Sequence, residues 1–140
     1  MYLASNSNKV KLKCNIGVYE NTDSWESYLL INISNIGIRM TTIKFLHWEI
    51  DRGGEKRINF FNKYLIESLP LVILEGEEKS IQLDYNYWLT NISESTLDYD
   101  AKDLTLVIST IHDTFRIKID KTLALKIMTE RKRIANSSEN

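Results

Sequence analysis

The sequence predicts an all-β fold in which two antiparallel sheets pack as a sandwich of about seven or eight strands, with a helix at the C-terminal end. Residues 9–19 alternate between apolar and polar side chains, and several later segments repeat this period of two, which is typical of half-buried strands. Turn signals separate these segments at the spacing of a sandwich. A small closed or partly open barrel is the alternative architecture.

The first two strands lie on either side of a polar turn at residues 20–24. The second strand, residues 27–33, carries apolar side chains in both phases, which indicates that both of its faces are covered. Residues 34–37 then form a turn, with a glycine available for a positive φ. The first strand, residues 9–19, has a single apolar face, which consists of Val10, Leu12, Cys14, Ile16 and Val18.

The third strand, residues 41–51, changes its apolar phase along its length. Ile43 belongs to one phase and Leu46 to the other, which indicates a β-bulge or a central strand covered on both faces. Two glycines at residues 53–54 mark the clearest hairpin turn in the chain. We therefore expect residues 57–62 to pair with the third strand.

The middle of the chain contains two further strands and an irregular segment. Pro70 precedes a short apolar run at residues 71–74, which suits an edge strand or a crossing between sheets. A glycine turn at residues 75–78 leads into a strand at residues 80–85. The segment that follows, residues 86–103, is either a short helix around its tryptophan or a long loop.

The last third of the chain is more regular. A buried strand at residues 104–110 and an alternating strand at residues 115–119 flank a turn at residues 112–113. Asp120 is a candidate N-cap for a helix over residues 121–133, which carries an apolar stripe.

Length and composition indicate one soluble domain. The chain has 140 residues, 43% apolar content and a formal net charge of −1, so no global field favours nucleic acid as a partner. We expect a flexible N-terminus at residues 1–8, the sandwich at 9–120, the helix at 121–135 and a disordered tail at 136–140. No signal peptide or membrane-spanning segment is evident, so we expect a cytoplasmic protein with no membrane partner.

Three segments resemble a known group of domains. Residues 33–43 (ISNIGIRMTTI), residues 69–77 (LPLVILEGE) and residues 114–118 are similar to turn and strand motifs of small immunoglobulin-like domains in uncharacterised bacterial and phage proteins. The match covers residues 27–120 and departs from the pattern at Met40, where proline is usual, and in lacking a glycine in the last hairpin. The resemblance implies an immunoglobulin-like sandwich from a bacterium or phage, and it implies no catalytic residues.

The residues that could carry chemistry do not form a recognisable catalytic or metal-binding motif. Cys14 lies on the apolar phase of the first strand and is expected to be a core thiol. His47 and His112 lack the ligand spacing of a zinc site. Asp98, Asp100 and a third aspartate in that stretch lack the glycine of a calcium loop. We therefore predict a non-enzymatic protein with no metal and no cofactor.

The uneven distribution of charge points to a contact surface for another protein. Residues 75–103 contain eight acidic and two basic side chains, interleaved with aromatic side chains of the type that anchor interfaces. The alternative is that two of these aromatics, Tyr85 and Trp88, cap one end of the core. The predicted interaction residues are Tyr85, Tyr87, Trp88, Asp98, Tyr99 and Asp100.

The sequence therefore predicts a protein-binding module, regulatory or inhibitory, that works through this surface and a neighbouring sheet edge. The alternative is a structural subunit of a phage particle or of another homo-oligomeric assembly. An enzyme or small-ligand binder is a third hypothesis, which would require a pocket with His47 or His112 beside a carboxylate. The basic end of the helix, at residues 131–133, is better explained by the helix dipole than by nucleic-acid binding.

Overall fold

The structure is a computed structural model, in which residues 10–21, 23, 26–52, 56–60, 67–95 and 104–138 are described. These residues form eight β-strands and two helices. The first strands are β1 (Leu12–Asn21), β2 (Glu26–Asn35), β3 (Thr41–Arg52) and β4 (Lys56–Phe60). They are followed by β5 (Leu71–Ile73), β6 (Glu78–Asp84), helix α1 (Tyr85–Ser95), β7 (Leu104–Thr110), β8 (Thr114–Lys118) and helix α2 (Lys121–Ser138).

The strands form two antiparallel sheets, which confirms the predicted all-β fold. One sheet has the order β1-β2-β6. The other has the order β4-β3-β7-β8, and β5 also pairs with β3. Because β4 pairs with the last residues of β3 and β5 with the first, these two short strands lie at opposite ends of one edge. Among the described residues no strand joins the two sheets into a barrel.

The core lies between the two sheets and follows directly from the period-two pattern. Side chains of alternate residues on a strand point to the same face, so one phase of each central strand is buried. The buried residues of the central strands are Leu29, Ile31 and Ile33 on β2, Ile43, Leu46, Trp48 and Ile50 on β3, and Leu104, Leu106 and Ile108 on β7. The half-buried side chains of β1 and β8 pack against this cluster from the edges.

The predicted irregularity in the third strand is a β-bulge. The pairing of β3 with β7 shifts between Ile43 and Phe45. Lys44 and Phe45 are both exposed as a result, and Leu46 returns to the core. The bulge therefore lets both halves of β3 bury their apolar phase.

Two helices cover the end of the sandwich where β6 ends and β7 begins. The irregular segment contains α1, which was one of the two expected alternatives. Asp120 caps α2, since its Oδ1 accepts the Leu123 N–H at 2.7 Å. Leu123 and Ile127 of α2 are buried in the core, and α2 contacts α1. The helix α2 continues to Ser138, beyond the expected boundary at residue 135 and into the expected tail.

Residues 1–9, which include the predicted flexible N-terminus, lie outside the described residues. The last part of the irregular segment, residues 96–103, does as well. Neither described helix combines the length and the apolarity needed to cross a bilayer.

Candidate protein-interaction surface

Two of the predicted contact residues lie in the core. Tyr85 and Trp88 are each 1% exposed. The Trp88 ring lies 5.2 Å from the Trp48 ring and 6.0 Å from the Tyr85 ring, centroid to centroid. Lys126 of α2 places its Nζ 5.7 Å from the centre of the Tyr85 ring. Tyr85 and Trp88 therefore cap one end of the core, which was the stated alternative, and they offer no surface to a partner.

The other predicted contact residues divide into two groups. Tyr87 lies on the outer side of α1 and is 49% exposed. Its backbone N–H donates to Asp84 Oδ1 at 2.9 Å, so Asp84 caps the first turn of the helix. Asp98, Tyr99 and Asp100 lie outside the described residues.

The opposite end of the sandwich carries a concentration of exposed apolar side chains. Ten large apolar side chains are exposed among the described residues, and seven of them lie at this end. We call these seven residues the apolar end: Ile36, Ile38, Met40, Phe45, Val72, Leu74 and Ile111. Each is between 44% and 67% exposed.

Strand pairing explains why these residues share one end. The loop at residues 36–40 leads directly into β3, and the first residue of β3, Thr41, pairs with Ile73 of β5. The same part of β3 pairs with the end of β7, where Ile43 lies opposite Thr110. The turns at residues 74–77 and 111–113 therefore lie beside the 36–40 loop. We expected turns at all three places, but their shared position depends on pairings between distant residues.

Asn35 fixes the conformation of the 36–40 loop. The side chain is 1% exposed, and its Nδ2 donates to Arg39 O at 2.6 Å and to Ile73 O at 3.0 Å. Its Oδ1 accepts the Gly37 N–H at 3.0 Å. The three bonds close the loop on itself and attach it to β5. The chain does turn here, but at residues 36–40 and not at the predicted residues 34–37, because Ser34 and Asn35 still pair as the last residues of β2.

The backbone attaches the same loop to the neighbouring strands. The Asn35 N–H donates to Glu77 O, and the Asn35 carbonyl accepts the Gly76 N–H, both at 3.0 Å. The Ile36 N–H donates to Lys11 O at 3.0 Å. Gly76 has a φ of +73°, which a glycine adopts without strain. The apolar side chains are thus displayed on a braced framework, which lowers the entropy lost when a partner binds.

Charged side chains of both signs surround the apolar end. Arg39 and Lys44 are exposed on the side of β3, and Glu75 and Glu78 are exposed on the side of the β5–β6 turn. Glu77 lies 3.6 Å from Lys79, measured from Oε1 to Nζ. An apolar centre with a charged rim is the usual composition of a protein-interaction surface.

A separate polar cluster lies on the outer face of the second sheet. His47 Nε2 lies 3.3 Å from Glu49 Oε1, and Arg116 Nη1 lies 2.6 Å from Glu49 Oε2. Arg116 is opposite Val107 on β7, which in turn is opposite His47, so the pairing brings the three together. Both Glu49 oxygens are therefore engaged, and loss of one partner would leave a buried carboxylate with less compensation.

This cluster offers a histidine beside a carboxylate, which is part of what the enzyme hypothesis requires. The described residues contain no group of three or more His, Cys, Asp or Glu side chains that could hold a metal. The cysteine is also poorly suited to nucleophilic chemistry, since burial raises the pKa of the Cys14 thiol to about 12. At neutral pH the thiol is protonated, and the thiolate is the reactive form.

Comparisons with known proteins add little to this geometry. No protein-family model matches the chain, and no curated protein matches it. Among solved structures, the chain is similar to one described as the X-ray structure of Northeast Structural Genomics Consortium target SoR45. The two share 13% sequence identity over 82% of this chain and 83% of that chain, with a TM-score of 0.34. The functional interpretation therefore depends on the residues of this chain.

Proposed function

We propose that this protein is a non-enzymatic protein-binding module that docks on another protein through its apolar end. The observation that carries the proposal is the presence of seven exposed apolar side chains at one end of the sandwich, three of which (Ile36, Ile38 and Met40) lie on the loop that Asn35 braces. A large exposed apolar patch rimmed by polar residues is typical of a surface that a partner covers. Burial of such side chains supplies affinity at about 25 cal/mol per Å² of apolar surface removed from water.

The proposal includes an immunoglobulin-like arrangement of the strands. The orders β1-β2-β6 and β3-β7-β8 correspond to the A-B-E and C-F-G orders of immunoglobulin sheets. Trp48 is buried on the third strand, where immunoglobulin domains carry a core tryptophan. In this arrangement the loops after the second and seventh strands share one end, and variable domains use that end for binding. Here the same two loops carry Ile38 and Ile111.

A regulatory or inhibitory role in a bacterium or phage completes the proposal. Its support is the resemblance of residues 33–43, 69–77 and 114–118 to immunoglobulin-like domains of bacterial and phage proteins. A binding domain of this size acts by occupying a surface of its partner, so the predicted effect on the partner is blockage or recruitment.

The experiment compares three variants in photo-crosslinking and pull-down from lysate of the source cell. Ile38→Asp with Met40→Asp places two charges in the apolar end. Tyr87→Ala tests the helical end, by which we mean the end of the sandwich that α1 and α2 cover. Leu125→Asp is the matched control, because Leu125 is 70% exposed on α2. We expect the double variant to lose a partner that the wild type and Leu125→Asp both retain.

Each alternative result has a defined meaning. Loss of the partner with Tyr87→Ala alone would move the contact surface to the helical end. Retention of the partner by all three variants would refute docking at either surface. Circular dichroism of each variant establishes that the fold is intact before binding is compared.

A further inference from the structure

Among the residues that the structure describes, β1 is an edge strand of the smaller sheet. Within the described part of the chain it pairs with β2 alone, over ten consecutive positions without a bulge. The Lys11 carbonyl accepts the Ile36 N–H, which continues the same register. Hydrogen-bonded pairs alternate along an antiparallel ladder, so the odd-numbered residues of β1 bond to β2. The backbone groups of its even-numbered residues therefore point outward.

The side chains of the same even-numbered residues are incompletely covered. Leu12, Cys14, Ile16 and Val18 pack against the core but stay partly exposed. Their neighbours on β2, Leu29, Ile31 and Ile33, have no exposed surface. An added strand would satisfy the outward backbone groups and cover this apolar strip in one step, which is how open sheet edges associate.

The sequence of β1 is compatible with antiparallel pairing to a second copy of itself, since each charged side chain then lies opposite an uncharged one. With a two-fold axis at Ile16, Cys14 lies opposite Val18 of a second copy, and Lys13 lies opposite Tyr19. Leu12 lies opposite Glu20 and Lys11 opposite Asn21, so no two like charges face each other. A parallel arrangement would place Lys13 beside its own copy, and like charges directly opposite are destabilising.

We propose that two copies of this chain associate through antiparallel pairing of their β1 strands about a two-fold axis at Ile16. The two three-stranded sheets then form one continuous six-stranded sheet across the dimer. The strand β1 runs from the apolar end, beside Ile36, to the helical end, where Glu20 Oε1 lies 2.9 Å from Lys126 Nζ. The two apolar ends therefore point in opposite directions and stay accessible.

This geometry has a consequence that rests on the proposed function. A dimer with two apolar ends is bivalent, so it can bridge two partner molecules or bind a repeated partner with avidity. The pairing of β1 itself is independent of what the apolar end binds.

Disulfide cross-linking of the purified full-length chain tests the register. Directly opposite Cα atoms in a hydrogen-bonded pair are about 5.5 Å apart, which is within the range of a disulfide. We expect Ile16→Cys in a Cys14→Ser background to form a cross-linked dimer on mild oxidation. Leu12→Cys in the same background should not, because its copy lies about 27 Å away along the pair at about 3.4 Å per residue.

The native cysteine supplies a second pair of matched variants. Val18→Cys with Cys14 present should cross-link, since residues 14 and 18 of two copies face each other. Val18→Cys with Cys14→Ser should not. Cross-linking through Leu12→Cys, or no cross-linking by Ile16→Cys, would overturn the register and with it the proposed pairing.

The mass in solution tests the association itself. Light scattering over a concentration series should give twice the mass of one chain for the wild type. Ile16→Pro removes an outward N–H without removing a bond to β2, so it should give the mass of one chain with an unchanged circular dichroism spectrum. A wild type that has the mass of one chain throughout would overturn the proposal.

The two surfaces can be separated by variants. Ile38→Asp with Met40→Asp should keep the dimer, and Ile16→Pro should keep partner capture by each single chain. Loss of the dimer in the apolar-end variant would show that the copies associate through the apolar end, which would overturn β1 pairing.

Discussion

Replacement of Asn35 by alanine should destabilise the protein more than the small loss of side-chain volume indicates. The change removes three hydrogen bonds made by a side chain that is 1% exposed. Each such bond contributes about 0.5–1.5 kcal/mol net, and a buried group left without a partner costs about 1–3 kcal/mol. We therefore expect the free energy of unfolding to fall by about 2–4 kcal/mol, a large part of the stability of a typical domain.

Urea denaturation measures this loss directly. With a slope of about 2 kcal/mol per M, the middle of the usual range for urea, the midpoint should fall by about 1–2 M. Hydrogen exchange at the Gly37 amide should accelerate at the same time, because its acceptor on Asn35 is gone. Asn32→Ala is the matched control on the same strand, since Asn32 Oδ1 accepts an exposed hydrogen bond from Ser80 Oγ at 2.5 Å. We expect it to cost less than about 1 kcal/mol.

Asn35→Asp separates the hydrogen bonds from the volume of the side chain. Aspartate keeps an oxygen for the Gly37 N–H. Its second oxygen would face the carbonyl oxygens of Arg39 and Ile73, where Nδ2 now donates at 2.6 and 3.0 Å. The aspartate variant should therefore be at least as unstable as the alanine variant. A stability equal to the wild type for either variant would refute the bracing role of Asn35.

Three further predictions concern the core and the polar cluster. Trp88→Ala should lower the free energy of unfolding by about 3–5 kcal/mol. Trp88→Phe should lower it less, because the buried Trp88 Nε1 has no acceptor among the described residues. Equal melting temperatures for the two variants would contradict this prediction. Arg116→Ala removes one partner of the Glu49 carboxylate, whose side chain is 11% exposed. The variant should lose about 1–3 kcal/mol of unfolding free energy. An unchanged midpoint in urea denaturation would contradict this prediction. Burial raises the pKa of Cys14 from 9.0 to about 12, so the unfolded thiol ionises first as pH rises. The free energy of unfolding should therefore fall between about pH 9 and 12, and Cys14→Ala should flatten that fall relative to the wild type.

Local patterns predicted the elements of this fold because those elements depend on neighbouring residues. Alternation identified the strands, and the phase change between Ile43 and Leu46 indicated either a bulge or a strand covered on both faces, of which the structure has the bulge. The position of Asp120 before an apolar stripe identified the cap and the start of α2. Each of these signals lies within one strand or one helical turn.

The candidate site depends on contacts between distant residues, which the patterns do not contain. An asparagine two residues before a glycine indicates a turn, but the Ile73 carbonyl that Asn35 bonds lies 38 residues further along the chain. The apolar end likewise exists because pairing with β3 gathers three separate turns. The sequence does contain a signal for the two aromatic residues that were predicted as contacts but lie in the core. Tyr85 and Trp88 are spaced three residues apart, which puts them on one face of a helix.

The two ends of the sandwich differ in how far their apolar side chains are covered. This contrast supports a binding role for the end that is less covered. At the helical end, α1 and α2 cover the core, and Lys126 covers the Tyr85 ring with a charged group. At the other end, Ile38 and Met40 extend into water from a loop that Asn35 already holds by hydrogen bonds. Exchange of such exposed side chains for polar ones changes stability by about 0.5 kcal/mol at most. The requirements of folding therefore do not explain aliphatic side chains at these positions, whereas the proposed contact with a partner would explain them.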